Sequence, residues 1–405
     1  MSSTEPLRDM FDAGGRGLHH QGLRRANERA VLSIIGFNPG VSNADISRLS
    51  GLAPQTVSAI LVDIERLGLI VRGEVLRGRR GQPATPIFLK PDGALAIGVN
   101  IGWQHVTVLL LNMHAQVLGQ RRRTQPFPDA ATIVDEIAAM VAEVSAAVPD
   151  DTRRRIVGMG IATPTGIGAR TGQMPASPDQ SALWSRLDLA AELRDRTGLA
   201  VSVFNDGNAA CWSQLIAFPK PRPDSFIYLL VSHTLTAGIV GEGTLWEGPT
   251  GNSANLGAML VPDRSGTLRA AGDIASTGSL AVRLQAAGMW FDDIDPANWD
   301  WNAFGATLDQ WIDESAEALA RVVLNTSMVM ETNLVIVDGV MPTPVLERLS
   351  AAVATQLAAF GQPAYAPPQL RAGTMGALAP AIGAAELTLY RRHLSRTWAD
   401  LVGLG

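Results

Sequence analysis

The sequence predicts a chain of the α/β class, in which a small N-terminal helical module precedes a larger body of two α/β lobes. Three observations support this prediction. With 405 residues, 46% of them hydrophobic, the chain is too long for one ordinary domain and apolar enough to bury several cores. Helical periodicity dominates the first 90 residues, whereas strand-like runs begin at Leu95. Beyond Leu95, strands followed by helices occur as two successive series.

Charge and cysteine content narrow the class of protein. The net charge of −5 conceals a basic N-terminus, because residues 1–90 carry 12 Lys and Arg against 8 Asp and Glu. A basic end beside a more acidic body suits a protein that meets DNA with one module. Cys211 is the only cysteine, which excludes an intrachain disulfide, a Cys-rich zinc site and an iron–sulfur cluster. Neither a signal peptide nor a membrane span is visible, so we expect a cytoplasmic protein without a membrane partner.

The first 90 residues predict two short helices around a tight turn. Residues 1–24 show little periodicity and are expected to form a mobile arm, and Asn27–Ile35 is the first predicted helix. Asn43 can cap a helix over Ala44–Ser50, a Gly-Leu pair makes the turn, and Pro54 stands where a second helix begins. Apolar residues at helical spacing would form one shared core: Ile46, Leu49, Leu52, Val57, Ile60, Leu61, Ile64 and Leu67.

The outer face of the second helix and the loop after it predict DNA binding. A strand over residues 69–71 is followed by an exposed turn, Gly78–Pro83, rich in arginine. An amphipathic helix pair alone is often core packing, but turn, helix and basic loop in this order predict a winged helix-turn-helix over residues 25–90. The predicted DNA-binding residues are Asn43, Gln55, Thr56, Ser58, Ala59, Arg77, Arg79 and Arg80.

The body reads as two lobes, residues 94–218 with the last helix 378–395, and residues 224–377. The first series is predicted as strands Leu95–Ile101, Val106–Asn112 and Val117–Arg123, helix Ala131–Val148, strand Ile156–Ala162, helix Leu187–Thr197, strand Val201–Phe204 and helix Gly207–Ala217. The second is predicted as strands Phe226–Val231, Ala237–Val240 and Met259–Val261, helices Leu280–Ala287 and Leu308–Met330, strand Leu334–Val337, helix Pro344–Phe360 and strand Gln369–Ala372, before helix Leu378–His393. This order predicts the actin-like ATPase (ribonuclease H-like) fold.

Three motifs point to one family. The segments are Leu-Ser-Gly-Leu-Ala-Pro-Gln-Thr-Val-Ser at residues 49–58, Ile-Gly-Val-Asn-Ile-Gly at residues 97–102 and Val-Phe-Asn-Asp-Gly-Asn-Ala-Ala at residues 203–210. They resemble, in turn, the repressor helix-turn-helix, the first phosphate strand and the sugar-binding element of the ROK family, which includes bacterial sugar kinases and sugar-responsive repressors. Kinase members lack the DNA-binding domain, so the resemblance implies the repressor branch.

Departures from the kinase pattern predict that the chain is not an enzyme. Where the kinases have Asp-x-Gly-Gly-Thr, this chain has Asn100 to Gln104, with Trp103 in the place of a glycine. A Trp there fills the space of a phosphate, and Asn100 lacks the acid that helps to place magnesium. The second phosphate loop, at residues 232–238, has also lost its Gly-Thr-Gly pattern. Loss of both phosphate-binding loops should abolish phosphoryl transfer.

The family's zinc element is also missing, so we expect no metal and no cofactor. Its Gly-Glu-x-Gly-His stretch corresponds to residues 254–258, where Ala258 replaces the histidine, and residues 262–280 contain no cysteine. The six histidines show no ligand spacing and are expected on the surface or in the core: His19, His20, His105, His114, His233 and His393.

The resemblance implies a sugar site made of hydrogen-bonding groups, namely Asp179, Asn205, Asp206 and Asn255. Asp206 matches the kinase general base but could equally be only a helix N-cap, and both roles are compatible. Trp184 and Trp246 could add an apolar face or could simply pack in the core. The ligand could be another sugar, a sugar derivative, or absent.

Together these observations predict a transcriptional regulator, most simply a repressor of carbohydrate genes. Its expected partners are double-stranded operator DNA, a small carbohydrate effector, and further copies of the chain in a dimer or tetramer. One rival is a carbohydrate kinase with a fused DNA-binding domain. The other is a DNA-binding dimer that responds to no ligand.

Overall fold

The computed structural model describes residues 20–74, 85–168, 176–289, 293–360 and 366–394. These residues form two compact units. The N-terminal unit holds the described residues up to Lys90 together with residues 390–394, and the body extends from Pro91 to Leu389. The division falls at residue 90, and residues 390–394 group with the N-terminal unit rather than with the first lobe.

The N-terminal unit has three helices and two short strands. They are α1 (His20–Phe37), α2 (Asn43–Ser50), α3 (Pro54–Arg66), β1 (Ile70–Arg72) and β2 (Ile87–Leu89), and the two strands pair antiparallel. This arrangement confirms the predicted winged helix-turn-helix. Helix α1 begins within the residues predicted as a mobile arm. The predicted basic turn, with Arg77, Arg79 and Arg80, lies outside the described residues.

The core and caps of the helix pair differ from the prediction in detail. The side chains of Ile46, Val57, Ile60, Leu61 and Ile64 are buried as predicted. Leu49 and Leu67, in contrast, are 49% and 61% exposed. Leu67 is the C-cap of α3, where the chain leaves the helical path, and Leu49 lies in the last turn of α2 at the margin of its apolar stripe.

Helix α2 is capped by Ser42 and not by Asn43, so that prediction was wrong by one residue. The Ser42 hydroxyl accepts a hydrogen bond from the Asp45 backbone N–H at 3.2 Å, and the Asp45 carboxylate accepts from the Ser42 backbone N–H at 3.4 Å. This reciprocal pair is a capping box. Helix α3 begins on Pro54 without a side-chain cap, because the N-cap residue Ala53 has no side-chain hydrogen-bond acceptor.

The last described residues complete the N-terminal unit. Tyr390–Leu394 form a single π-helical turn that packs against α1. The hydroxyl of Ser33, which is 1% exposed, donates to the Leu394 carbonyl at 2.7 Å. The N-terminal unit is thus built from both ends of the described residues.

The first lobe of the body is a five-stranded sheet with the order β5-β4-β3-β6-β7. Its strands are β3 (Leu95–Ile101), β4 (His105–Asn112), β5 (Val117–Thr124), β6 (Ile156–Thr163) and β7 (Val201–Asn205). Strands β3 to β5 form an antiparallel meander, and β6 and β7 run parallel to β3. Its helices are α4 (Ile133–Ser145), α5 (Asp150–Arg153), α6 (Gln180–Arg186), α7 (Leu189–Thr197) and α8 (Asp206–Ala217).

The second lobe repeats this topology with the order β10-β9-β8-β13-β14. Its sheet strands are β8 (Phe226–Val231), β9 (Leu235–Gly241), β10 (Thr244–Leu245), β13 (Leu334–Gly339) and β14 (Gln369–Ala372), and β11 (Leu260–Pro262) and β12 (Leu268–Ala270) form a separate hairpin. The helices of the second lobe are α9 (Thr277–Ala286), α10 (Gly305–Met330) and α11 (Thr343–Ala359), whereas α12 (Ala379–Leu389) packs on the sheet of the first lobe. Two sheets with the same strand order and directions confirm the actin-like fold.

Two helices at the centre of the body fix where the lobes meet. Helix α12 packs on β3 and β6, and helix α8 packs on α12 and on β9 of the second lobe. Glycines allow this close approach, because a Cβ on Gly207 would lie 2.1 Å from the Ala237 carbonyl oxygen, and a Cβ on Gly383 would clash with the Ala209 carbonyl. The N-terminus of α8, with Asp206, is therefore held rigidly between the two sheets. Among the described helices, none is long and apolar enough to cross a membrane.

Candidate functional site

The outward face of α3 carries the residues predicted to contact DNA. Gln55, Thr56, Ser58 and Ala59 are all exposed, while the opposite stripe of the helix is buried in the unit's core. Gly51 has a left-handed backbone (φ 71°) and makes the tight turn between α2 and α3. The predicted DNA-binding residues of α3 thus lie together on one exposed face of the N-terminal unit.

Two of the predicted DNA-binding side chains are bonded to each other. The Asn43 side-chain amide donates to the Ser58 hydroxyl at 2.9 Å, and that hydroxyl donates to the Pro54 carbonyl at 2.9 Å. These bonds brace the start of α2 against the exposed face of α3. Asn43 and Ser58 thus position the face, whereas Gln55, Thr56 and Ala59 present their side chains outward.

A cavity of about 770 Å³ lies between the two lobes of the body. One end is lined by Asn205, Asp206 and Asn255, which were predicted from three separate segments, and the other end reaches α9. Asp179 does not line it: the Asp179 carboxylate is exposed and accepts from the Ser177 hydroxyl at 2.6 Å. The structure therefore brings together three of the four predicted ligand-binding residues.

Asn205, and not Asp206, is the N-cap of α8. The Asn205 side-chain oxygen accepts from the Asn208 backbone N–H at 3.0 Å, so the alternative that Asp206 is merely a cap is wrong. Asp206 is the first helical residue, 8% exposed, and its carboxylate accepts from the Gly207 backbone N–H at 2.8 Å. Burial raises the pKa of Asp206 to about 6, although the backbone N–H groups act in the opposite direction.

A polar chain joins the two lobes at this end of the cavity. The Asn205 side-chain amide donates to the Thr165 hydroxyl at 3.0 Å, and that hydroxyl donates to the Asn252 side-chain oxygen at 2.9 Å. The Asn208 amide also donates to the Gly251 carbonyl at 3.1 Å. Thr165 lines the cavity but was not predicted, and its loop was marked in the sequence only by its density of Gly, Pro and Thr.

Side chains fill the turn after β3, where the family resemblance implies bound phosphates. Trp103 is 5% exposed and packs against Phe127, with ring centroids 6.5 Å apart. The Asn100 amide donates to His105 Nε2 at 3.0 Å, and a Cβ on Gly102 would lie 2.4 Å from the His105 ring. Burial, with a contribution from nearby Arg122, lowers the pKa of His105 to about 3, so this imidazole is neutral at physiological pH.

An ion pair beside this turn links the lobes. Arg122 Nε on β5 donates to the Asp295 carboxylate at 2.9 Å, and the two side chains are only 24% and 10% exposed. Neither residue was predicted to be functional. Their separation of 173 positions leaves no local sequence signal for the pair.

The second phosphate loop is held by hydrogen bonds within the loop itself. The Ser232 hydroxyl donates to the Thr234 carbonyl at 2.9 Å, which closes the loop on itself. Among the described residues, no group of three or more His, Cys, Asp or Glu is arranged to hold a metal ion. Trp184 packs against the core of the first lobe and donates to the Pro128 carbonyl at 3.0 Å, and Trp246 is half-exposed and does not line the cavity.

Sequence comparisons relate the chain to known proteins. An uncharacterised protein of Sinorhizobium fredii is 22% identical over 375 residues, which cover 92% of this chain and 93% of that protein. The xylose repressor of Bacillus subtilis is 21% identical over 242 residues, which cover 59% of this chain and 61% of the repressor. The chain thus matches somewhat less than two thirds of the repressor's length.

Comparison with solved structures gives the same fold. A ROK family transcriptional regulator, a homologue of the Escherichia coli protein Mlc, superposes with a TM-score of 0.69 at 21% identity, covering 94% of this chain and 100% of that one. A ROK family glucokinase from Streptomyces griseus superposes with a TM-score of 0.57 at 21% identity, covering 73% of this chain and 99% of the kinase.

Family models agree with the division of the chain into two units. The MarR family model matches residues 21–81, which lie in the N-terminal unit. The ROK family model matches residues 96–391, well over half of the chain. The chain therefore belongs to the ROK family, and it carries a MarR-like winged-helix domain in front of the ROK body.

Proposed function

We propose that this protein is a cytoplasmic, sequence-specific DNA-binding regulator that represses carbohydrate genes under the control of a sugar or sugar derivative. The observation that carries the proposal is the combination of an exposed, groove-sized helix α3 with a ROK body whose phosphate turn is filled by Trp103 and His105. The similarity to the xylose repressor of Bacillus subtilis and to the ROK family transcriptional regulator supports the same role.

The cavity supports the ligand part of the proposal. Asn255 is exposed at its edge, and the Asp206 carboxyl lies at the start of α8. Amide and carboxyl groups discriminate among sugars because a wrong ligand leaves buried polar atoms without partners. A ligand that contacts both lobes would favour one inter-lobe angle, and the regulator would respond through its assembled DNA-binding units. Two such units, in a dimer or tetramer, match repeated half-sites on DNA.

The DNA-binding part is tested by mixing the full-length protein with fragmented genomic DNA and sequencing the bound fraction. We expect a few enriched sites, and their neighbouring genes should indicate the sugar. Replacing Arg79 and Arg80 by Ala should weaken binding and reduce its dependence on salt, because fewer phosphates are neutralised. An unchanged salt dependence would show that the basic turn does not contact phosphate.

The absence of kinase activity is tested with ATP and a panel of hexoses. We expect no sugar-dependent ATP hydrolysis, because Trp103 and His105 occupy the space that transferred phosphates require. Turnover that depends on a sugar would favour the rival kinase interpretation, which the glucokinase neighbour keeps relevant.

Calorimetry with the same sugars separates a ligand-controlled regulator from a ligand-independent DNA-binding dimer. We expect one sugar class to bind and Asp206→Ala to abolish that binding. Asp179→Ala is the matched control, since it removes a carboxylate of the same lobe that does not line the cavity. If no sugar binds the wild type, the ligand-independent dimer is the better interpretation.

A further inference from the structure

The exposed face of α3 is uncharged over its first turns. From Pro54 to Val62, the side chains that reach solvent are those of Pro54, Gln55, Thr56, Ser58, Ala59 and Val62. Val62 is 60% exposed, although it was not among the predicted DNA-binding residues. The first basic residue of this helix is Arg66 in the last turn, where its guanidinium pairs with the Asp63 carboxylate at 3.0 Å.

One side-chain amide on this face, that of Gln55, takes no part in the hydrogen bond that joins α2 to α3. The Ser58 hydroxyl is engaged by Asn43 and by the Pro54 carbonyl, so its hydrogen-bonding capacity is largely used within the protein. Gln55 carries the single side-chain amide on the outer face of α3, a helix that is described throughout. Gln55, Ala59 and Val62 stand at positions i, i+4 and i+7, and therefore form one stripe along the helix.

We infer that α3 selects A·T base pairs in the major groove, with Gln55 reading adenine and the methyl groups of Ala59 and Val62 contacting thymine. In that groove a Gln amide matches adenine N6 and N7, and small apolar groups match the thymine 5-methyl. Guanine is read chiefly by Arg or Lys, and cytosine by Asp or Glu. The first turns of α3, within the described N-terminal unit, offer none of these four residues. The inference rests on the proposed DNA-binding function and adds the class of base pair that is read.

The first test is selection of a random duplex DNA library by the full-length protein, followed by sequencing. We expect half-sites with A·T pairs at the centre, and replacement of the selected adenine by guanine should weaken binding by about 10-fold. An enriched half-site with a G·C centre would overturn the A·T inference while leaving DNA binding intact. No enriched sequence at all would overturn both the inference and the proposed function.

The second test assigns the recognition of base pairs to individual side chains. Gln55→Arg should move the preference at one position from adenine to guanine, and Gln55→Ala should remove the preference at that position only. Ser58→Ala is the control, because loss of the brace should weaken all sequences alike and leave the selected motif unchanged. A motif that stays the same in Gln55→Arg, or changes in Ser58→Ala, would overturn the assignment.

The third test isolates the methyl contacts. Replacing a selected thymine by deoxyuridine removes only its 5-methyl group, which should weaken binding by the wild type about fourfold for each contacted methyl. In Val62→Ala the same replacement at the contacted step should have little effect. Equal losses in the two proteins would show that Val62 does not contact a thymine methyl.

Discussion

The buried carboxyl of Asp206 makes the stability of the body depend on pH in a defined direction. Its pKa is about 6 in the folded protein, against an ordinary value of 3.8. The folded state therefore holds this proton more tightly than the unfolded chain, and stability falls as pH rises from about 4 to about 6. At about 1.4 kcal/mol per pKa unit, the ionised carboxylate should cost the native state ~3 kcal/mol at pH 7.

Replacing Asp206 by Asn removes the ionisation and keeps the acceptor that faces the Gly207 N–H. Relative to wild type, Asp206→Asn should gain stability between pH 4 and pH 7 by ~3 kcal/mol. Other buried groups, such as His233 with its pKa near 4, are present in both proteins and cancel in the difference. Urea unfolding followed by tryptophan fluorescence reports chiefly on the body, because eight of the nine tryptophans lie between Trp103 and Trp311 in the sequence.

The result that would refute this reasoning is a difference in stability between Asp206→Asn and wild type that stays constant across pH 4 to 7. Such a result would mean that Asp206 ionises in the folded protein as it does in the unfolded chain. Asp179→Asn is the control for loss of one carboxylate, because the Asp179 side chain is exposed. Its effect should be small at every pH.

Three further predictions follow from the same contacts. If a sugar donates hydroxyl hydrogen bonds to Asp206, its binding at pH 6 should release protons, because those bonds favour the charged carboxylate. Calorimetry in two buffers of different ionisation enthalpy measures this release, and equal apparent binding enthalpies in the two buffers would contradict the prediction. Gly238→Ala should destabilise the body by about 1–3 kcal/mol, because a Cβ at this position would lie 2.3 Å from the Cβ of Cys211. Gly241→Ala on the same strand is the control, because a Cβ there has room. Equal losses of unfolding free energy for the two variants in urea would contradict the packing argument. Ser42→Ala should destabilise the N-terminal unit by ~1 kcal/mol, because it removes the side-chain cap of α2. The loss should appear as faster hydrogen exchange in α2, with α4 as the internal reference, and unchanged exchange in α2 would show that the capping box adds no stability.

Long, strongly patterned elements of the fold could be predicted from sequence. Strands β3 and β8 begin and end at the predicted residues, because each combines aliphatic or β-branched side chains with polar or Gly-rich flanks. Helix α6 was not predicted. It is anchored by Gln180, whose side chain bonds Asp129 and the Ala130 N–H from a segment about 50 positions away, and such contacts leave no local periodicity.

The short hairpin of β11 and β12 was predicted only in part, because strand Met259–Val261 was expected where β11 lies, whereas β12 was not expected. Its turn is organised by the Asp263 carboxylate, which accepts from the backbone N–H groups of Ser265 and Thr267. Strands of three residues are too short to show alternation.

In the cleft, the family motif located Asn205 and Asp206, but only the structure shows which of them caps α8. Asp338, which accepts from the Tyr228 hydroxyl and from the Met375 and Gly376 N–H groups, gave no signal at all.

The hydrogen bond between the Ser33 hydroxyl and the Leu394 carbonyl joins two segments, 361 positions apart, that are synthesised at different times. Domains generally fold as they emerge, beginning at the N-terminus. Here the turn at residues 390–394 leaves the ribosome only after the entire ROK body, so the N-terminal unit is completed after the body has been made. A chain that terminates before residue 390 therefore lacks part of the N-terminal unit. A truncation that removes residues 390–394 acts directly on the part of the protein that we propose binds DNA.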